Sequence, residues 1–539
     1  MKLKIQGLLF SAIALMLIFT ACDDNDLGTA PRLFTPIMKW DIGGTRIKVT
    51  WDRYEGTQSY SLQLSDDSLF VNTLANISIN EEQNTEYTFE GLWYNTQYYI
   101  RIQGIGNGDI KSNVAIYRVT TLKLPTKLLS PASSDCIDTQ VKVKWTEVSY
   151  DYLQVYHGKE YVKTIDLTAE DNDEKTVVVR DLEPTTTYTI QAYQGEEYAG
   201  EMDYKTTAAQ IFEGNYVDLR SLDPTEAYTK LTQSYIDELA ALYPGGFTVV
   251  LEGGTHYDLP SINFSTNFNL VTGLSFLGNA ILESRGSFNT KSGVTSLNYI
   301  TFENLTFTEH ATSASKGSAN YGGQYVCNLS QAVEIGSLNI RGCDIRYKRG
   351  VIRTQAQPVL INTVSIDNCF IDSIGGYGIV NVDVNTSSIK DVIVKNSTIA
   401  HADVVFVGAK PTPVDAQNSL TLENLTFYYS PNGGTGRYII DYNGQTLPGG
   451  LTIKNCIVGK SGTAIRGMRS AAANINVDNN FRASDMAWFL NAGSGEPEGP
   501  IDLTALSETT DKVFADPENL NFKVTNATLV NRAGDPRWW

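Results

Sequence analysis

The chain has 539 residues, 42% of them hydrophobic and 19% charged, a composition that supplies large apolar cores and gives no reason to expect disorder. Such a length holds roughly three or four domains. With 42 Lys and Arg against 60 Asp and Glu, the net charge is −18, which argues against sequence-independent binding to nucleic acid or to an anionic membrane surface. Any acidic ligand would have to find a local basic patch.

The first 21 residues read as a signal peptide: Lys2 and Lys4 precede the apolar run "IQGLLFSAIALMLIF", and the small residues of "TA" stand before Cys22. This looks like a bacterial lipoprotein signal, with Phe19 where that pattern usually has Leu. The resemblance implies lipidation of Cys22, an anchored protein, and a linker over 22–32. The "DDND" at 23–26 resembles the acidic signal that sends such lipoproteins to the outer cell surface. Cysteines 136, 327, 343, 369 and 456 lack Cys-x-x-Cys spacing, and His157, His256, His310 and His401 are scattered, so the sequence draws neither a disulfide framework nor a metal site.

Residues 33–207 alternate apolar and polar with frequent turn residues, the pattern of antiparallel strands in a sandwich. They contain a duplication: "IKVTW" to Trp51 answers "VKVKW" to Trp145, and "LWYNTQYYIRI" answers "LEPTTTYTIQA", with Tyr98 and Tyr188 in equivalent places. This resembles a tandem of fibronectin type III domains, 33–122 and 123–207, each with a core tryptophan and a tyrosine corner. Trp93 and Tyr94 are expected to pack at that corner, and the pair to act as a spacer.

From 208 the texture changes to Gly, Asn, Ser and Thr. A cap over 208–255 contains one amphipathic helix, Gln233 to Leu242, stopped by Pro244 and Gly245. A hexamer then recurs around Asn304, Gly342, Asn368, Asn396, Asn424, Asn455 and Asn479, at intervals of 38, 26, 28, 28, 31 and 24 residues by subtraction. Such a period means a stacked array, expected over 256–510. Each unit is strand, sharp bend, strand, and asparagine tolerates the left-handed conformation a bend demands. Stacked rungs would set these asparagines in an amide ladder, with Cys343, Cys369 and Cys456 as small buried hydrophobes beside it. This resembles a right-handed parallel β-helix, so the whole chain is expected to be all-β: two sandwiches followed by a solenoid.

Function is expected on outward faces. The stretch 341–353, "RGCDIRYKRGVIR", holds five basic residues against one acid. Matching "GVIR", "YGIVN", "YIID" and "TAIR" places Arg353, Asn381, Asp441 and Arg466 in one column. With Arg469 and Tyr438, these are the candidate ligand-binding residues, able to hold a carboxylated polysaccharide because Arg pairs carboxylates bidentately. Tyr377 and Tyr442 are further aromatic candidates.

The solenoid from 209 on looks like the pectate-lyase-like superfamily. Its close, "VFADPENLNFKVTNATLVNRAGDPRW", resembles the end of an uncharacterised β-helix family found beside polysaccharide-uptake systems, and 511–539 is expected to cap the open end. The resemblance implies a polysaccharide partner, pectin among the expected ones, an outer-membrane uptake complex and a cell-surface location, with no nucleic acid. It leaves three readings: a glycan-binding lipoprotein, a uronate lyase or hydrolase, or a structural or adhesive surface protein. A lyase would need a base and a carboxylate neutraliser, for which Lys348, Arg349 and Arg353 are candidates, with calcium as the cofactor such an enzyme could use. A hydrolase would want clustered carboxylates, for which Asp372, Asp383 and Asp403 are the candidates.

Overall fold

The structure is a computed structural model and describes residues 33–80, 84–312, 321–408 and 417–539. The signal peptide, Cys22 and its linker lie outside the described residues. The chain divides into two compact units, one of residues up to 130 with 145–175 and 189–203, the other of 131–144, 176–188 and 204–539. Among the described residues no helix is long and apolar enough to cross a membrane.

The first sandwich has a three-stranded sheet (Met38–Ile42, Arg46–Trp51, Glu86–Glu90) and a four-stranded sheet in the order Thr73–Ile79, Thr57–Ser65, Gln97–Gly106, Ala115–Thr120. Trp51 and Tyr60 meet edge to face at 5.2 Å in its core. The second copy has the four-stranded sheet Glu160–Asp166, Tyr152–His157, Thr187–Gln194, Glu197–Lys205, and a two-stranded sheet of Val141–Lys144 and Thr176–Val179.

Both tyrosine corners are present. The Trp93 amide donates to Tyr98 Oη at 3.0 Å and the Glu183 amide to Tyr188 Oη at 2.8 Å, and Thr121 and Thr206 each donate to the carbonyl of that same corner residue. The expectation for the corner aromatics is corrected at Trp93, whose side chain is 78% exposed; Tyr94 packs against Gly44.

Residues 216–505 supply the strands of a parallel β-helix of three sheets. The first runs from Tyr216–Asp218 and Phe247–Leu251 to Ile475–Asp478, the second from His256–Leu259 to Thr504–Ala505, and the third from Ile262–Phe264 to Arg466–Ser470. Every pairing within them is parallel, and one hydrophobic core fills the interior. The helix Gln233–Leu242 falls where its pattern ends and is capped by Thr232, whose hydroxyl accepts from the Tyr235 amide. Its Ile236 and Leu239, with Leu219 and Leu231, lie in the same core as the phenylalanines of the first rungs, so this segment covers the core at the solenoid's start.

The repeated asparagine is the corner between the first and second sheets. Asn304, Asn368, Asn396, Asn424, Asn455 and Asn479 all have φ between 49° and 56°, and Gly342 has 61°. This is the left-handed region that asparagine and glycine enter at little cost. The amide ladder is continuous over four rungs: Asn424 donates to Asn396, Asn455 to Asn424 and Asn479 to Asn455, at 2.7 to 3.0 Å. Elsewhere it is interrupted. Asn396 donates to Asp367 instead of Asn368, and the Asn304 amide oxygen lies where a Cβ on Gly342 would stand.

The C-terminal segment corrects the expectation of an end cap, because it runs along the flank of the solenoid. Arg532 donates to Asn479, the Gly534 amide to the Asn455 carbonyl, the Asp535 amide to Thr426, and Arg537 to Asn368, so the segment ascends the corner rung by rung. Val513, Phe514, Phe522, Val524 and Leu529 cover Phe370, Tyr428, Ile457 and Phe481, apolar side chains on the outer face of the second sheet. An outward apolar stripe would otherwise face water, at roughly 1.5–3 kcal/mol for each large side chain.

Candidate functional site

The third sheet carries the column expected from the sequence, with one correction. Asn328, Arg353, Asn381, Val407, Asp441 and Arg469 are successive cross-strand partners on adjacent rungs. Arg466 does not join them: it stands opposite Tyr438, three positions earlier. The apolar match that placed Arg466 failed because Gly467 occupies the position of Ile439. A Cβ on Gly467 would meet the Gly499 carbonyl at 2.5 Å, so glycine is required where the repeat otherwise has an aliphatic residue.

Beside this column runs another, Tyr325, Gly350 and Gly378, with Val404 and Tyr438 on the following rungs. Its small residues make a floor. Between Tyr377 and Tyr438 this floor opens into a trough of about 280 Å³, lined by Asn381, Asp383, Val404, Val407, Gly408, Arg437 and Asp441. The two tyrosines are two rungs apart, about 10 Å at roughly 4.8 Å per rung.

Three arginines around the trough are paired with carboxylates, whereas Arg437 donates to the Gly433 carbonyl at 3.3 Å. Arg353 binds Asp383, with Nε at 3.0 Å, and donates to Tyr325 Oη at 3.2 Å. Arg469 holds Asp441 bidentately, both contacts at 2.9 Å. Arg466 pairs with Glu498 at 3.0 Å, and Tyr438 donates to the same carboxylate at 3.1 Å. The guanidiniums also stack on the aromatics: Arg353 lies 4.0 Å and Arg349 4.5 Å from the Tyr377 ring centre, and Arg466 and Arg469 lie 5.3 and 5.0 Å from that of Tyr438. Such stacking fixes both partners and prepays the entropy of ordering them.

Asn381 is the unusual member. It is 6% exposed, yet its side-chain oxygen is buried with no hydrogen-bond partner. A buried acceptor left unpaired costs about 1–3 kcal/mol, and such a cost at a pocket wall is removed when a donor arrives.

The remaining candidates fall elsewhere. Lys348 is corrected from an outward position to the interior: it is 0% exposed, pairs across the sheet with Ile374, and donates to the Thr308 carbonyl at 2.6 Å. Burial pushes its pKa down to about 7. Its neighbour Tyr347 turns the second corner with φ 55°, and this turn sends the next side chain inward. Tyr442 is fully buried and offers no platform. The three aspartates do not gather in one place. Asp372 is buried on the second sheet, 2.7 Å from His401 Nδ1, while Asp383 follows the third sheet and is held by Arg353. Burial raises the Asp403 carboxyl, with Arg437 opposing. Among the described residues, no group of three or more His, Cys, Asp or Glu is placed to hold one metal ion.

A larger cavity of about 600 Å³ lies where the flanking C-terminal segment stops, beside Asn304, Gly342, Asn368 and Trp538. Arg346 and Asp344 there satisfy one another at 2.8 Å, and none of the lining residues carries a buried unpartnered polar atom. Sequence reasoning found Asn381, Tyr377, Tyr438 and Asp441. It missed Tyr325, Val404, Val407 and Arg437, which have no periodic signature and become visible only once rungs are stacked.

Two family models match the solenoid. One, a domain of unknown function (DUF4957), matches residues 255–402, and another, also a domain of unknown function (DUF5123), matches 420–538. The second match includes the flanking C-terminal segment. No curated protein matches the chain. Among solved structures, the chain is similar to the FN1–FN3 domains of chicken CNTN1, at 15% identity and TM-score 0.15, covering 33% of this chain and 69% of that one. It is also similar to a two-domain fibronectin type III segment of chicken tenascin, at 19% identity and TM-score 0.18, covering 33% and 100%. The sandwich assignment rests on strand order and the tyrosine corners.

Proposed function

We propose that the protein is a surface lipoprotein that captures polysaccharide in the third-sheet trough. The reading is supported chiefly by one observation: two tyrosines, each fixed by stacked guanidiniums, face a polar trough whose wall carries the unpartnered Asn381 oxygen. Aromatic faces take the C–H face of a sugar ring, and convergent polar groups fix its hydroxyls. The signal pattern ending at Cys22 supports a lipid anchor, and the spacing sandwiches suit a binding domain held off a membrane, in company with an outer-membrane uptake complex.

Capture is favoured over cleavage by a lyase because Lys348 lies inside the core, which removes one of three base candidates, and Arg353 already serves Asp383 and Tyr325. The test is retardation of the chain from Asp23 onward in gels containing homogalacturonan, rhamnogalacturonan, galactan, glucan or mannan, with ultraviolet absorbance followed for unsaturated uronate. Retardation by at least one polysaccharide, lost in Tyr377→Ala/Tyr438→Ala, with a flat absorbance trace, is expected. An absorbance rise abolished in Arg349→Ala or Arg353→Ala would make the protein a lyase.

A further inference from the structure

We infer that the glycan held in the trough is uncharged where it crosses Asn381, a neutral hexose-type chain presenting hydroxyl groups and not a uronate. This rests on the capture reading above and names its substrate class.

Two observations carry it. The Asn381 side-chain oxygen is a buried acceptor without a donor. A hydroxyl donates a proton to it; an ionised carboxylate has only lone pairs and would add repulsion to the unmet cost. Next, both carboxylates that line the trough, Asp383 and Asp441, present acceptors, and each already occupies the guanidinium that a uronate would seek. A uronate taking either of these guanidiniums would break a close ion pair and leave a half-buried carboxylate beside itself, whereas a hydroxyl donates to the carboxylate and accepts from the guanidinium with the pair intact.

The experiment compares homogalacturonan with its carboxyl-reduced form, which keeps chain geometry and removes the charge, using the full chain in mild detergent and titration calorimetry at 50 and 500 mM salt. The neutral form is expected to bind at least about ten-fold more tightly than the uronan or to bind alone, with little salt dependence, because no counterion is released. Asn381→Ala should weaken it about ten-fold by removing the buried acceptor, and Asn381→Asp, which keeps an acceptor oxygen, should retain more of the affinity than Ala. Tighter binding of the uronan, weakening with salt and lost in Tyr438→Ala, would overturn the neutral assignment and leave glycan capture standing. Binding of neither form, nor of neutral galactan, glucan or mannan, would overturn the capture reading and this inference with it.

Discussion

Replacing Lys348 by methionine should stabilise the protein, although it removes a hydrogen bond. The ammonium is 0% exposed and its pKa falls from 10.5 to about 7, so holding it in the core at pH 7.5 costs on the order of 4 kcal/mol relative to the unfolded chain, at about 1.4 kcal/mol per pH unit. Methionine is of similar length and needs no desolvation, but it leaves the Thr308 carbonyl unpaired at about 1–3 kcal/mol. The net expectation is a gain of about 1–3 kcal/mol in urea unfolding at pH 7.5. The sign with pH follows from linkage: a lysine with a depressed folded pKa contributes stability that is full above its unfolded value and is lost as pH falls through the folded value. The wild type should therefore gain on the variant as pH rises from 7 towards 10, by about 1.4 kcal/mol per unit. A variant that loses more than about 2 kcal/mol, or a difference that does not move with pH, would refute the reasoning.

Other outcomes follow from the same geometry. Asn424→Gly keeps the left-handed corner but breaks the ladder on both sides and should cost about 1–2 kcal/mol; Asn424→Ala, with a Cβ at φ 56°, should cost about 1 kcal/mol more, so equal losses would deny the corner its role. Asp535 is fully buried, pushed up to about 6 by burial against the opposing pull of Arg537, so its contribution is full below about 3.8 and is lost as pH rises through 6. Proteolytic release of the C-terminal segment should accelerate as pH rises from about 4 to about 6 and level off above that, and Asp535→Asn should abolish that dependence. Tyr377→Ala or Tyr438→Ala alone should weaken polysaccharide binding about ten-fold with the unfolding midpoint little changed; an unaltered affinity in both would remove the trough as the platform.

Much of this architecture was legible because its causes are local and repeated. Asparagine at intervals near 28 residues reports one backbone requirement, a left-handed corner, and each rung must meet it again. The duplicated sandwich was readable for the same reason, since Trp51 and Trp145, and Tyr98 and Tyr188, fill equivalent places. What misled was any inference that needed the facing of a side chain beside a second corner. Tyr347 reverses the alternation, so Lys348 enters the core although its basic neighbours point out. Arg466 was misplaced because Gly467 erased the apolar mark of its rung. The C-terminal segment was expected at an open end, whereas the apolar stripe it covers, Phe370, Tyr428, Ile457 and Phe481, is spread over more than a hundred residues and becomes one surface only when the rungs stack. The trough itself draws on several rungs and on Val404, Val407 and Arg437, residues that no motif singles out.

The central claim is that glycan occupies the third-sheet trough, and hydrogen exchange of the full chain with and without a bound oligosaccharide tests it most directly. Protection concentrated in peptides covering residues 376–383 and 437–442, and absent in Tyr377→Ala/Tyr438→Ala, is the predicted result. Protection confined to the sandwiches or to the first sheet, with those peptides unchanged, would contradict it.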